Sequence, residues 1–143
     1  MGKMVGNERS GYGIYTWPEG TRYEGEWLRD MMHGYGTYSW TDGRRYEGDW
    51  FENNIQGEGR HIWPDGREYK GQYMRDKKHG FGTYKWQTGK KYEGQWMNGR
   101  QHGKGKMIYP DGTVIEGKWK NGMRLDQRSK SLKRIEETQD LSY

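Results

Sequence analysis

Residues 23–27 read YEGEW, and the same five positions return as YEGDW at 46–50, YKGQY at 69–73, YEGQW at 92–96 and IEGKW at 115–119. The interval is 23 residues each time. Two further blocks keep step with it. A G-x-G pair falls at 11–13, 34–36, 57–59, 80–82 and 103–105, and a turn-like triplet ends at Gly20, Gly43, Gly66, Gly89 and Gly112. Across residues 11–122 twenty of the 22 glycines fall in four columns of this register, and all eight tryptophans fall in two. A fixed period of this size marks a repeat architecture, in which each unit is one supersecondary element that buries its apolar face against its neighbours.

The unit reads as a β-hairpin. Trp40 and Tyr46 are separated by TDGRR, a glycine-containing link of the length that joins antiparallel strands. On the other side Trp27 reaches Gly34 through LRDMMH, and the matching links contain Asn98-Gly99 and Asn121-Gly122, which are tight-turn signals. Side chains alternate along a strand, so Tyr23, Gly25 and Trp27 share one face while Glu24 and Glu26 take the other. In the partner strand Gly34, Gly36, Tyr38 and Trp40 share a face, with Tyr35, Thr37 and Ser39 opposite. Both strands therefore place glycines and aromatics on one side. Glycine inside a strand marks close approach by something bulky, here a ring from an adjacent strand. The expected fold is all-β: one elongated, twisted antiparallel sheet of about ten strands, about 45 Å long at ~4.8 Å per strand.

Composition agrees with an aromatic core. Only 29% of the 143 residues are hydrophobic and 31% are charged, values that alone would suggest disorder, yet 15% are aromatic. There is no cysteine, which excludes a disulfide framework and a thiolate metal site. No run is long and apolar enough to read as a bilayer span, and the first ten residues lack the apolar stretch of a signal peptide. A cytoplasmic location is the expectation. Net charge is split: residues 1–66 carry 7 Lys/Arg against 11 Asp/Glu, and residues 67–143 carry 18 against 9. The basic half suits acidic partners or anionic headgroups. Residues 1–10 read as a degenerate partial repeat, with Gly2 and Met4 in the glycine and tryptophan columns. Residues 11–122 form the array, and 123–143 a polar tail with a short helix expected in it.

YEGxW followed by HGxGxYxW and xDG at this period resembles the MORN repeat, for which Tyr23–Gly43 and Tyr92–Gly112 are close matches. The resemblance covers residues 11–122. It implies an elongated twisted antiparallel sheet with a groove, and a scaffold that binds partner helices or peptides. Members of the family dimerise, have been linked to phosphoinositides, and occur in ciliary and cytoskeletal assemblies. Such a setting, or a membrane surface, is the corresponding expectation for this chain. Tyr73, Ile115 and Gln56 depart from the pattern, standing where other repeats have Trp, Tyr and His.

Candidate chemistry is thin. The acids flanking the column glycine, such as Glu47 and Asp49, become Lys70 and Gln72 one repeat later, so they read as a solvated face and not a catalytic pair. His33, His79 and His102 share a column with Gln56 in the gap. Consecutive copies lie two strands apart, about 10 Å, too far to share a metal at ~2 Å bonds, and each is expected to hydrogen-bond at its own turn. His61 stands outside the column and carries no reading. G-x-G-x-x-G fails at its third glycine and no phosphate-loop lysine follows. No catalytic residue, metal or cofactor is assigned.

Two features remain. The first is a partner-binding groove paved by Tyr23, Trp27, Trp40, Tyr46, Trp50, Trp63, Tyr69, Trp86, Tyr92 and Trp96. A single-layer sheet is expected to leave part of that surface reachable, with Met31, Met32, Met74, Met97 and Met107 adding adaptable contact area. The second is a basic rim: Arg22, Arg44, Arg45, Arg67, Lys90 and Lys91, joined by Lys77 and Lys78 in a loop. These suit a partner helix or peptide, or anionic lipid. Homodimerisation through an unpaired terminal strand is a further option, and nucleic acid is disfavoured by the acidic first half.

Overall fold

The computed structural model describes residues 2–5, 8–125 and 134–136. Its strands are β1 (Gly2–Val5), β2 (Glu8–Thr16), β3 (Arg22–Leu28), β4 (Met31–Ser39), β5 (Arg45–Phe51), β6 (Asn54–Ile62) and β7 (Glu68–Met74). They continue as β8 (Lys77–Lys85), β9 (Lys91–Met97), β10 (Arg100–Ile108), β11 (Val114–Lys120), β12 (Met123–Leu125) and β13 (Arg134–Glu136). All belong to one sheet in chain order, each strand pairing antiparallel with the next. Among the described residues there is no helix. The short helix expected in 123–143 falls mostly outside them, and the tail residues that are described, Met123–Leu125 and Arg134–Glu136, are strands that pair with each other.

Two kinds of turn alternate. The wide one follows each first-column tryptophan: Trp40 N–H donates to the Arg44 carbonyl at 2.9 Å and Gly43 N–H to the Trp40 carbonyl at 3.1 Å. Asp42 accepts from the Arg44 amide at 3.0 Å, a local side-chain bond that closes the loop. The other turn is far tighter than the six-residue link LRDMMH suggests. It contains two residues, Arg29 and Asp30, with φ of 50° and 65°. Glu52 and Asn53, and Arg75 and Asp76, repeat this, as do Asn98 with Gly99 and Asn121 with Gly122. These left-handed pairs are the type I′ geometry whose twist matches that of the flanking strands. Arg-Asp is a poor left-handed pair by propensity, so something must hold it. Asp30 Oδ1 accepts from the Arg9 amide at 2.8 Å, Asn53 Oδ1 from Met32 at 2.8 Å and Asp76 Oδ1 from Ile55 at 2.7 Å. In return the Asp30, Asn53 and Asp76 amides donate to the carbonyls of those same residues. Each tight turn is thus tied to the strand one repeat earlier.

The strand before this turn and the strand after it do not match residue for residue. Trp27 faces Met32 while Gly25 faces Gly36, so three residues oppose one. The same irregularity separates Gly48 from Trp50 and Gly71 from Tyr73. Gly34, Gly57, Gly80 and Gly103, the first glycine of each later G-x-G, sit there with φ between 80° and 99°. They are bulge glycines.

The expected ring over the glycine gap is the tyrosine at the start of the same hairpin. The Tyr46 hydroxyl donates to the Asp49 carbonyl at 3.0 Å, and Tyr23, Tyr69 and Tyr92 make the equivalent bond three residues on. In doing so the ring lies across its own glycine and the glycine of the paired strand. A Cβ at Gly59 would occupy the place of the Tyr46 hydroxyl, and Gly36, Gly82 and Gly105 stand in the same relation to Tyr23, Tyr69 and Tyr92.

Candidate functional site

The ten aromatics read as a groove floor form the core of the protein. Tyr23, Tyr46, Tyr69 and Tyr92 are fully buried, as are Trp27, Trp50, Trp63, Trp86 and Trp96 within a few per cent. Trp40 alone is half-buried, packed on the same cluster. The sheet covers this face with its own rings. Tyr23 meets Trp27 edge-on at 5.0 Å and Trp50 of the next repeat at 5.6 Å, and Tyr69 meets Tyr73 at 5.1 Å and Trp96 at 5.4 Å. Edge-to-face contacts of this kind stabilise beyond the area they bury. Some indole N–H groups of the second tryptophan column are used as well: Trp50 donates to the Gly36 carbonyl at 3.2 Å and Trp96 to Gly82 at 3.0 Å. Burial raises the ionisation of the Tyr23, Tyr46, Tyr69 and Tyr92 hydroxyls far above the ordinary tyrosine value, which keeps them neutral donors. Little of this face is left for a partner to reach.

Sequence reasoning missed the residues that complete the closure. One column runs Arg9, Met32, Ile55, Lys78, Gln101, Arg124, facing the aromatic side and, from Met32 onward, following a tight turn. Ile55, Lys78 and Gln101 are buried. Lys78, expected on a loop of the basic rim, is in β8 with its ammonium among Tyr69, Tyr84 and Trp96. The loop there is only Arg75 and Asp76, which is why the lysine is drawn inward.

His61 is the second omission. It occupies the position of Tyr38 and Tyr84 in neighbouring repeats, and that equivalence was the available signal. Its ring is fully buried and stacked between Trp40, at 5.2 Å, and Trp63, at 4.2 Å. Burial, reinforced by the nearby positive charges of Lys78, Arg44 and Arg67 and opposed by Asp42, depresses its pKa from 6.5 to about 3. Since the folded value lies below the unfolded one, the unfolded chain takes up the proton first. Stability from this residue is full above pH 6.5 and is lost as pH falls toward 3. Urea unfolding at pH 7, 6 and 5 should show a loss approaching ~1.4 kcal/mol per pH unit below 6.5, and His61→Tyr should remove that slope. An equal slope in the variant would contradict the assignment.

The remaining rim residues are tied to their own repeats. Arg22 pairs with Glu24 at 3.0 Å, Arg44 with Asp42 at 2.9 Å, Arg45 with Glu47 at 3.1 Å and Arg67 with Asp65 at 2.9 Å. Arg44, Arg67 and Lys90 also lie over the faces of Trp40, Trp63 and Trp86 at 4.6, 4.9 and 4.6 Å, sealing the edge of the core. Lys91 starts β9 and is half-buried, while Lys77 starts β8 and is exposed. The histidine column was expected to bond at its own turns, but His33 and Gln56 each reach the tight turn of the following repeat, because strands of neighbouring hairpins lie side by side. His33 Nδ1 accepts from the Glu52 amide at 3.4 Å, and Gln56, its stand-in, accepts from Arg75 at 3.3 Å. Among the described residues no three His, Asp or Glu side chains converge as a metal site would need.

The reachable apolar surface is on the opposite face. Leu28, Phe51, Met74 and Met97 occupy one column and are 40%, 47%, 48% and 44% exposed. A second column, between the paired glycines, exposes Tyr12, Tyr35 and Phe81. Toward the C-terminal end this face holds an open cleft of about 580 Å³, lined by Phe81, Glu93, Lys104, Lys106, Glu116 and Lys118 over Gly94, Gly105 and Gly117.

A family model described as the MORN repeat matches residues 1–22, 23–44, 46–66, 69–91 and 92–114. No curated protein matches the chain. Among solved structures, one match is a catalytically inactive virginiamycin B lyase from Staphylococcus aureus with quinupristin. It is 14% identical, with 95% of this chain and 56% of that chain covered and a TM-score of 0.25. This chain therefore spans little more than half the length of that one, and the likeness is too weak to bear on fold or activity.

Proposed function

Because the chain belongs to the MORN-repeat family, whose repeats are protein- or membrane-binding modules, we propose that it is a non-catalytic adaptor holding a helix of a partner protein along the outward face of its sheet. The observation that carries this reading is the row Leu28, Phe51, Met74 and Met97, one exposed apolar side chain per repeat in the same register. Two strands span ~9.6 Å, and a helix returns the same side to the surface every seven residues, ~10.5 Å. A helix with an apolar residue at each seventh position can therefore meet all four.

Charge beside the row gives the helix a direction. Beside Leu28 and Phe51 the acids Glu26, Asp49 and Glu52 outnumber Arg29, whereas Arg75, Lys77 and Arg100 stand next to Met74 and Met97, and Lys120 takes the next place in the column. The end over Leu28 should be basic and the end over Met97 acidic. That polarity suits a helix whose N-terminus lies at the Met97 end, since acids are favoured near helix N-termini. The test uses a synthetic helix with leucine at every seventh position, an acidic N-terminal half and a basic C-terminal half. It should bind in a fluorescence-anisotropy titration, and Phe51→Asp with Met74→Asp should weaken it at least tenfold while leaving the unfolding midpoint unchanged. Equal binding of a charge-reversed helix, or no loss in the double variant, would refute the reading. A cytoskeletal or ciliary assembly is the setting we propose for such an adaptor.

The excess of 18 basic over 9 acidic residues in 67–143 supports a second reading, contact with an anionic membrane. Flotation with phosphatidylserine vesicles at low salt, lost at high salt, would favour it, and absence of flotation at low salt would remove it.

A further inference from the structure

The column that closes the aromatic face follows a geometric rule. Around Lys78 stand the tyrosine nine residues before it, the tyrosine six after it and the tryptophan eighteen after it. Its Nζ lies 5.5 Å from the Tyr69 ring centroid, 5.7 Å from Tyr84 and 5.8 Å from Trp96. The ammonium is thus centred among three faces at the range where the ring quadrupole attracts a cation. Tyr69 and Trp96 stand at 90° to each other, as walls do. The same offsets place the Arg9 guanidinium 4.5 Å from Tyr15 and 4.1 Å from Trp27, so a second cation sits in a second box. The occupant is not always a cation: Met32 is neutral although its three positions hold Tyr23, Tyr38 and Trp50. Ile55 has His61 and Tyr73 in place of Tyr and Trp, and Gln101 has Met107 in place of Tyr.

We propose that the cage of Tyr69, Tyr84 and Trp96 is a receptor for primary alkylammonium ions with Lys78 as its built-in ligand. All three walls and the lysine are buried, so the wild-type cage is closed to outside ligands. Shortening Lys78 to alanine opens it, and the missing atoms are those of n-propylammonium. The stabilisation of Lys78→Ala should rise with the logarithm of propylammonium concentration above Kd, so that at ten times Kd the ratio of folded to unfolded protein is about tenfold higher. Wild type in the same salt, and the variant in 1-propanol or in sodium chloride of equal ionic strength, should show no such rise. A rise equal to that of wild type, or an equal rise in 1-propanol, overturns the proposal. If Lys78→Ala does not fold, the wild-type protein decides. The Lys78 ε-methylene protons should be shifted strongly upfield by the three rings, and a shift like that of the exposed lysines overturns the cage.

Discussion

Gly59→Ala should cost the protein about 3 kcal/mol, at the upper end of what overpacking a tight interior costs. The added methyl would fall where the Tyr46 hydroxyl and ring edge already are. Tyr46 cannot move aside freely, because its hydroxyl is bonded to the Asp49 carbonyl and its ring is fixed edge-on between Trp50 at 5.3 Å and Tyr73 at 5.5 Å. Gly48, on the strand opposite, leaves no relief: a Cβ there would stand 2.5 Å from the Glu58 carbonyl oxygen and from the Gly59 Cα. Gly112→Ala is the matched control. It has φ of 93° but nothing within 4 Å of an added Cβ, so only the left-handed strain of about 1–2 kcal/mol remains. Urea unfolding followed by tryptophan fluorescence separates the two. Equal losses would mean that the glycine columns serve turns and not ring packing.

Trp96→Ala should lose about 4 kcal/mol, within the range for truncating a buried tryptophan. The side chain is 2% exposed and touches both its own repeat and the one before, at 5.2 Å from Tyr92 and 5.4 Å from Tyr69. It also donates to the Gly82 carbonyl and forms one wall around the Lys78 ammonium. Its removal leaves a cavity, takes one donor from the Gly82 carbonyl and strips one ring face from the Lys78 ammonium, all in one place. The adjacent Met97→Ala should change stability by less than about 0.5 kcal/mol, since that side chain is 44% exposed on the other face. A small loss at Trp96 would show that the face is open, as a binding trough would be.

The period and the alternation of faces were readable because Tyr, Trp and Gly are chemically distinctive and recur without drift. Strand pairing, the glycine gap and the burial side of each aromatic all follow from that. What escaped was set by two residues at a time. A tight turn made from Arg29 and Asp30, or from Arg75 and Asp76, carries no glycine signal, and the bond that holds it comes from a strand 21 residues earlier. Reading those links as long loops moved Lys78 from the core to a rim. The column from Arg9 to Arg124 was invisible for another reason: its members share a position and no chemistry. The aromatic face was expected to be partly open because a single sheet has two faces and no second layer. Rings spanning paired glycines, with a filler from each repeat and cations over the outer tryptophans, provide that layer from within.

This places the exposed apolar surface, and with it the proposed docking row, on the face that sequence reasoning left to the charged residues. Glu47 and Asp49 remain a solvated pair there, but Phe51 beside them is part of a repeating row.

Hydroxyl-radical footprinting of the free, native protein, read by mass spectrometry residue by residue, tests that reversal of faces most directly. Phe51, Met74, Met97, Tyr35 and Phe81 should be labelled, while Trp50, Trp96, Tyr46, Tyr69 and Tyr92 should be protected despite the high intrinsic reactivity of indole. Labelling of Trp50 and Trp96 at rates at or above that of Tyr35 would contradict the account, because the aromatic face would then be an open groove and not the core.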